Sequence, residues 1–268
     1  MAFKALGPDW TDFDEHKVVS VGEFLQSCTI PLIFEDEERS FLHGTACLFK
    51  GADYSYLITA KHVVKSCDFD CIGVPENPTY GHSWPLGAYT ASFPSDDDLD
   101  VAAIRLEAPE FPSRVGANWR SLGPDNLLAD GIPVERFIIA GYPTATAETV
   151  GVKLHPKPLQ LYTTRYRGPV NDGLGPFDFV LNYAREGRDV VGRDVPTPPV
   201  EGVSGAAVWA VLPEPSGAIW TPETQLKLAG VQVSYVHSKY VRAKSWNVLR
   251  KVFQKIDPDT FALMKDSS

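Results

Sequence analysis

The chain has 268 residues, 44% of them hydrophobic, which is enough for one large β domain or two small ones with a real core. Its 34 acidic residues against 25 basic ones give a formal net charge of −9, which argues against nucleic acid or an anionic membrane as a partner. The cysteines Cys28, Cys47, Cys67 and Cys71 are too bunched for a disulfide framework and point to reduced thiols in a cytoplasm. Cys67 and Cys71 lack a matching second pair, so no metal or other cofactor is expected. Met1–Trp10 lacks the apolar stretch of a secretory signal, and no apolar run approaches membrane-spanning length.

In chain order, residues 1–27 are expected to form an N-terminal arm, largely polar over 1–19 with Trp10 and Phe13 as anchors, then a short helix over 20–26. Strand patterns follow at 28–34, 41–49 and 54–60, separated by an acidic turn at 35–39 and by Gly51-Ala52-Asp53. One helical turn is expected at 61–65. Prolines and glycines break up 68–95, and Asp96–Asp98 reads as a solvated turn. Residues 99–106 are a buried strand with Asp100 at its entrance. The segment 109–130, punctuated by Pro and Gly, is expected to connect two β halves. Strands resume at 134–140, before a Gly141-Tyr142-Pro143 turn, and at 151–154, 159–165 and 177–182. Arg185–Pro199 reads as an exposed loop, and two strands follow at 206–211 and 226–236. The C-terminus reads as a helix capped by Ser245, with Trp246, Leu249, Val252, Phe253 and Ile256 on one face.

Chemistry concentrates in Gly202-Val203-Ser204-Gly205, where a serine stands between glycines ahead of an apolar strand. Such a turn can hold a hydroxyl beside converging backbone N–H groups. Serine is a poor nucleophile unaided; it needs a base, and a carboxylate to orient that base. His62, directly after a strand ending Leu57-Ile58-Thr59-Ala60, and Asp100, at the mouth of another, are the candidates. His43, His82, His155 and His237 lack a comparable setting.

These pieces resemble the chymotrypsin-like (trypsin-like) serine proteases. The resemblance spans about residues 28–256 and rests on Gly44-Thr45-Ala46, Leu57-Ile58-Thr59-Ala60-Lys61-His62, Leu99-Asp100-Val101-Ala102, Gly141-Tyr142-Pro143 and Gly202-Val203-Ser204-Gly205. It implies an all-β fold of two six-stranded antiparallel β-barrels with a C-terminal α-helix. The first barrel would cover 28–115 and carry His62 and Asp100. The second would cover 131–243 and carry Ser204, with the helix at 244–268. It further implies a His62, Asp100, Ser204 catalytic triad and an oxyanion hole from the N–H groups of Gly202 and Ser204. Protein or peptide substrates would pair with the strand around Val233, Ser234, Tyr235 and Val236, with Pro198 and Pro199 near the pocket floor.

Several residues depart from the family pattern. Val203 stands where zymogen-activated members carry an aspartate, Ala206 replaces a glycine, and Lys61 replaces a small residue. Val63 stands where the half-cystine partner of Cys47 would be. The expectation is therefore an intracellular bacterial-type endopeptidase without zymogen cleavage, or one whose turn awaits a regulatory partner. The alternative is a protease-fold binding module with a latent triad. Pro198 and Pro199 in place of an acidic residue predict no preference for Lys or Arg, and Val236 predicts a narrow pocket for small uncharged side chains. A one-residue shift in register would instead put Gln232 on the pocket wall.

Overall fold

In the computed structural model the described residues are 3–5, 10, 13–35, 40–65, 71–78, 83–94, 99–108, 110–150, 153–171, 173–189, 193–214 and 219–266. Cys67, His82, Asp96–Asp98 and most of the acidic turn after Glu35 lie outside them. The strands are β1 (Phe3–Ala5), β2 (Thr29–Glu35), β3 (Ser40–Lys50), β4 (Ser55–Thr59), β5 (Ile72–Pro75), β6 (Ser83–Pro85), β7 (Tyr89–Ser92), β8 (Ala102–Leu106) and β9 (Arg136–Gly141). They continue with β10 (Glu148–Val150), β11 (Lys153–His155), β12 (Leu159–Thr164), β13 (Asp178–Asn182), β14 (Glu186–Arg188), β15 (Asp194–Pro196), β16 (Ala207–Val211), β17 (Leu226–Val236) and β18 (Tyr240–Ser245). The helices are α1 (Glu15–Cys28), α2 (Lys61–Lys65), α3 (Glu110–Asn118), α4 (Pro222–Gln225), α5 (Asn247–Ile256) and α6 (Pro258–Asp266).

Two seven-stranded sheets make two lobes, and two short hairpins, β10–β11 and β14–β15, stand apart from them. The first lobe runs β6-β5-β2-β3-β4-β8-β7 and the second β1-β12-β9-β16-β17-β18-β13. The extra strand in the second lobe is β1, part of the N-terminal arm, which pairs with β12 in parallel.

Successive strand residues face opposite sides, and here both sides are buried. In the first lobe Ala46, Leu48, Leu57 and Ile104 pack inside the sheet, while Cys47, Phe49, Tyr56, Ile58 and Ala103 face a shared core between the lobes. In the second lobe Phe137, Ile139, Val208 and Ala210 face inward, and Ile138, Ala140, Ala207, Trp209 and Val211 join that shared core. This double burial is why runs such as 206–211 are apolar without alternation.

The shared core is covered by the chain's two ends. From α1, Val18, Val21, Phe24, Leu25 and Cys28 enter it, and Phe24 meets Trp209 edge-on with ring centroids 5.4 Å apart. From the other end come Trp246, Val248, Leu249, Val252, Phe253 and Met264. Helix α1 begins earlier than the sequence pattern proposed, because Asp14 caps it by accepting from the Lys17 N–H at 2.8 Å. At α5 Ser245 is not the cap: it closes β18, its N–H donates to Phe177 O, and Trp246 takes the N-cap position without a side-chain bond. The helix expected over 244–268 is broken in two, with α6 restarting after Asp257. Asp257 starts it by accepting from the Thr260 N–H (3.0 Å) and hydroxyl (2.6 Å), and the Tyr56 hydroxyl donates to the same carboxylate at 2.6 Å. That buried network ties the C-terminus to the first lobe.

Candidate active site

His62 and Asp100 are brought together by strand register. β4 and β8 are antiparallel neighbours with Thr59 opposite Ala102, so the exit of one strand lies beside the entrance of the other. His62 follows the first and Asp100 precedes the second. Asp100 Oδ1 accepts the His62 backbone N–H at 2.9 Å, and Oδ2 lies 2.6 Å from His62 Nδ1. With Nδ1–H donated to the carboxylate, a neutral imidazole presents its lone pair at Nε2. Burial pushes the Asp100 carboxyl up. The hydrogen bond and charge of His62, the His62 N–H and the Lys244 ammonium outweigh it, so Asp100 ends below the usual carboxylate range. About half of the His62 side-chain surface is open to solvent (48%). His43 serves the scaffold: its Nε2–H donates to Val63 O at 2.5 Å, steadying α2, which carries His62.

The serine turn is shaped by backbone packing. Gly202 and Gly205 adopt φ of +87° and +90°. A Cβ on Gly202 would lie 2.8 Å from Tyr142 O, and one on Gly205 would lie 2.1 Å from Thr45 O and 3.0 Å from Ala60 N. Only glycine fits at either position. Ser204 O accepts from the Thr45 N–H (2.9 Å), and the Gly205 N–H donates to Gln232 O (2.8 Å). The turn thus lies against β3 and against Thr59–Ala60, the segment leading to His62. Ser204 is half-buried. Its Oγ makes no hydrogen bond to His62 Nε2 or to any other described residue. The N–H groups of Gly202 and Ser204 likewise donate to no described residue.

Beyond Gln232, β17 loses β16 as a partner, so Val233–Val236 has an open edge on the Ser204 side among the described residues. A bulge between Gln232 and Ser234 sends the Val233 side chain into the first lobe's core, while Ser234 is exposed and Tyr235 and Val236 are half-buried. The Tyr235 hydroxyl donates to the Glu201 carboxylate, linking this strand to the serine turn. Burial, then the Glu201 hydrogen bond and charge, push the Tyr235 phenol up to about 12. Tyr183 stands edge-on to Tyr235 and donates to Pro198 O at 2.8 Å, while Pro199 is exposed. Gln232 is fully buried and donates from Nε2 to Ser234 O at 3.1 Å.

Sequence reasoning placed Thr45 and Thr59 within the family-like pieces without giving them a role, and it did not single out Thr144 or Glu201. Their importance lies in hydrogen bonds to residues far away in the chain, which no local pattern records. Among the described residues no three His, Cys, Asp or Glu side chains cluster as metal ligands.

No protein-family model matches the chain, and no curated protein does. Among solved structures the chain is similar to an inactivated protease paralogue of the scabies mite, S-I1. The identity is 15%, covering 87% of this chain and 95% of that one, with a TM-score of 0.54. It is also similar to the thermostable serine protease AL20 from an extremophilic microorganism, at 15% identity, covering 87% and 98%, with a TM-score of 0.49. The fold is therefore chymotrypsin-like: two curled antiparallel sheets followed by C-terminal helices.

Proposed function

We propose that this protein is a serine endopeptidase that needs no N-terminal zymogen cleavage. The observation that carries the reading is the paired contact of Asp100 with both the ring and the backbone of His62, opposite a glycine-bounded serine turn. In this mechanism His62 Nε2 takes the Ser204 hydroxyl proton as Oγ attacks the scissile carbonyl, and Asp100 stabilises the imidazolium. The N–H groups of Gly202 and Ser204 receive the oxyanion. His62 then hands its proton to the leaving amine, and water releases the acyl group by the reverse sequence. The open edge of β17 at Val233–Val236 suits an extended peptide added as a strand. The cleft residues favour small uncharged side chains over Lys or Arg in the primary pocket, since Pro198 and Pro199 replace an acidic floor. A peptide-library cleavage profile dominated by Arg or Lys would contradict that preference.

The test of the main reading is hydrolysis of an unfolded protein substrate. It is expected from the wild type and absent from Ser204→Ala; equal activity in both would end the proposal. A second reading, a protease-fold binding module with a latent site, draws on the Tyr235–Glu201 link across the cleft and on the unbonded Ser204 hydroxyl. It is favoured if the folded wild type hydrolyses nothing. Cys28 and Cys47 are buried free thiols, in keeping with the cytoplasmic setting proposed for the enzyme. No helix among the described residues is long and apolar enough to cross a membrane.

A further inference from the structure

We infer that the oxyanion turn is assembled without a partner or a cleaved N-terminus, and that the Thr45 hydroxyl is the positioning group that holds it; this rests on the hydrolase reading above. Thr45 is fully buried in β3 and bonds through every polar atom it has. Its N–H donates to Ser204 O at 2.9 Å, and its C=O accepts the Thr59 hydroxyl at 2.7 Å. Its own hydroxyl accepts the Tyr142 N–H at 3.1 Å and donates to Gly202 O at 2.9 Å. One side chain therefore fixes the carbonyl of Gly202, and one main chain fixes the carbonyl of Ser204. The residues whose N–H groups would meet the oxyanion are both anchored to Thr45. Through Thr59 the same residue is tied to the strand that leads to His62.

The Glu201–Gly202 peptide is fixed from the other side. Glu201 O accepts the Thr144 N–H at 2.7 Å. Because C=O and N–H point in opposite directions across a trans peptide, that bond turns the Gly202 N–H away from Thr144. Reversing the peptide would break the bond to Thr144 and crowd a turn already packed against Tyr142 O and Thr144 N. Val203 adds a third anchor: it is buried, and a Cβ on Gly141 would come within 2.7 Å of its Cγ1. Aliphatic packing and a threonine hydroxyl thus occupy the place of a charge pair.

Two substitutions test the assignment. Thr45→Val keeps the shape and removes the hydroxyl. Thr144→Pro replaces the N–H with a ring carbon aimed at Glu201 O and so breaks that anchor, at the first residue of the short 3-10 turn Thr144–Thr146, after Pro143 whose ψ of 138° tolerates a following proline. Each is expected to lower kcat by roughly ten- to a hundredfold with KM within about twofold, because the lost alignment matters only once the oxyanion forms. Thr45→Ser should restore kcat to within about threefold of wild type. In hydrogen exchange the Tyr142 amide should be protected in wild type and in Thr45→Ser, and lose protection in Thr45→Val. Wild-type kcat in both Thr45→Val and Thr144→Pro, or a rise in KM alone, overturns the inference. If Thr45→Val does not fold, Thr144→Pro decides, being at an exposed position. If the wild type hydrolyses nothing while Tyr142 exchange follows Thr45 as described, the hydrolase reading falls and the scaffold stands. An unprotected Tyr142 amide in wild type removes the scaffold.

Discussion

The two halves of the candidate site are built by different means. In the first lobe, His62 and Asp100 meet near the surface through side-chain hydrogen bonds, and each is partly open to water. In the second lobe, the serine turn is fixed by backbone bonds, by positive-φ glycines and by contacts too close for a Cβ. The imidazole half can be altered without disturbing the fold, because its contacts are exposed and polar. The backbone of the serine turn cannot, because its geometry is part of the packing between lobes. A chemical change should therefore separate rate from stability in the first half and couple them in the second.

The largest expected effect joins the halves. Ser204→Ala and His62→Ala should each lower turnover by about 10⁴–10⁶-fold, and the double variant should be hardly worse, as for groups that act as a unit. Additive losses in steady-state kinetics would show that the halves act independently. Next comes Asp100→Asn, expected to cut kcat by about 10⁴-fold with an unfolding free energy changed by less than about 1 kcal/mol at neutral pH. Because the Asp100 carboxyl is lowered in the folded state, its contribution to stability is present above its ordinary value of 3.8 and is lost as pH falls through the lowered one. Chemical denaturation at pH 7 and pH 2.5 checks this: the small difference between wild type and Asp100→Asn should be smaller at the acid end. Gly205→Ala, by contrast, should lose rate and roughly 2–3 kcal/mol of stability together, since it forces a strained φ against Thr45 O. A stable but inactive Gly205→Ala would blur the distinction between the halves. The smallest effect is expected far from both, at Asp257→Asn. It should cost about 1–2 kcal/mol near neutral pH, because Tyr56 and Thr260 lose a charged acceptor. Asp257 is also lowered, its hydrogen bonds from Thr260 and Tyr56 outweighing burial, so that loss too should shrink below about pH 4 in a melting series.

The difference between the halves also explains what the sequence could reveal. The strands expected at 99–106 and 206–211, observed as Ala102–Leu106 and Ala207–Val211, were legible because short, largely apolar runs bounded by turn residues suit strands buried on both faces. The adjacency of His62 and Asp100 followed from short motifs at the ends of strands that happen to be neighbours. The C-terminal helix α5 was legible from its one-sided apolar pattern, but its start was not, since Ser245 is needed as a strand residue. Helix was expected to run on to the C-terminus, but the break between α5 and α6 was not; the Asp257 that restarts the helix is held in part by Tyr56, 201 residues away. Thr45 looked like an ordinary strand threonine. Nothing near it in the chain reports that it faces a turn 157 residues later.

The most direct measurement is intact-mass analysis after reaction with a fluorophosphonate, which captures a serine only when a base has activated it. A single adduct mapped to Ser204 in the wild type, absent from both Ser204→Ala and His62→Ala, is the expected result. No adduct on folded wild-type protein, or undiminished labelling in His62→Ala, would contradict the claim that the two lobes together activate Ser204.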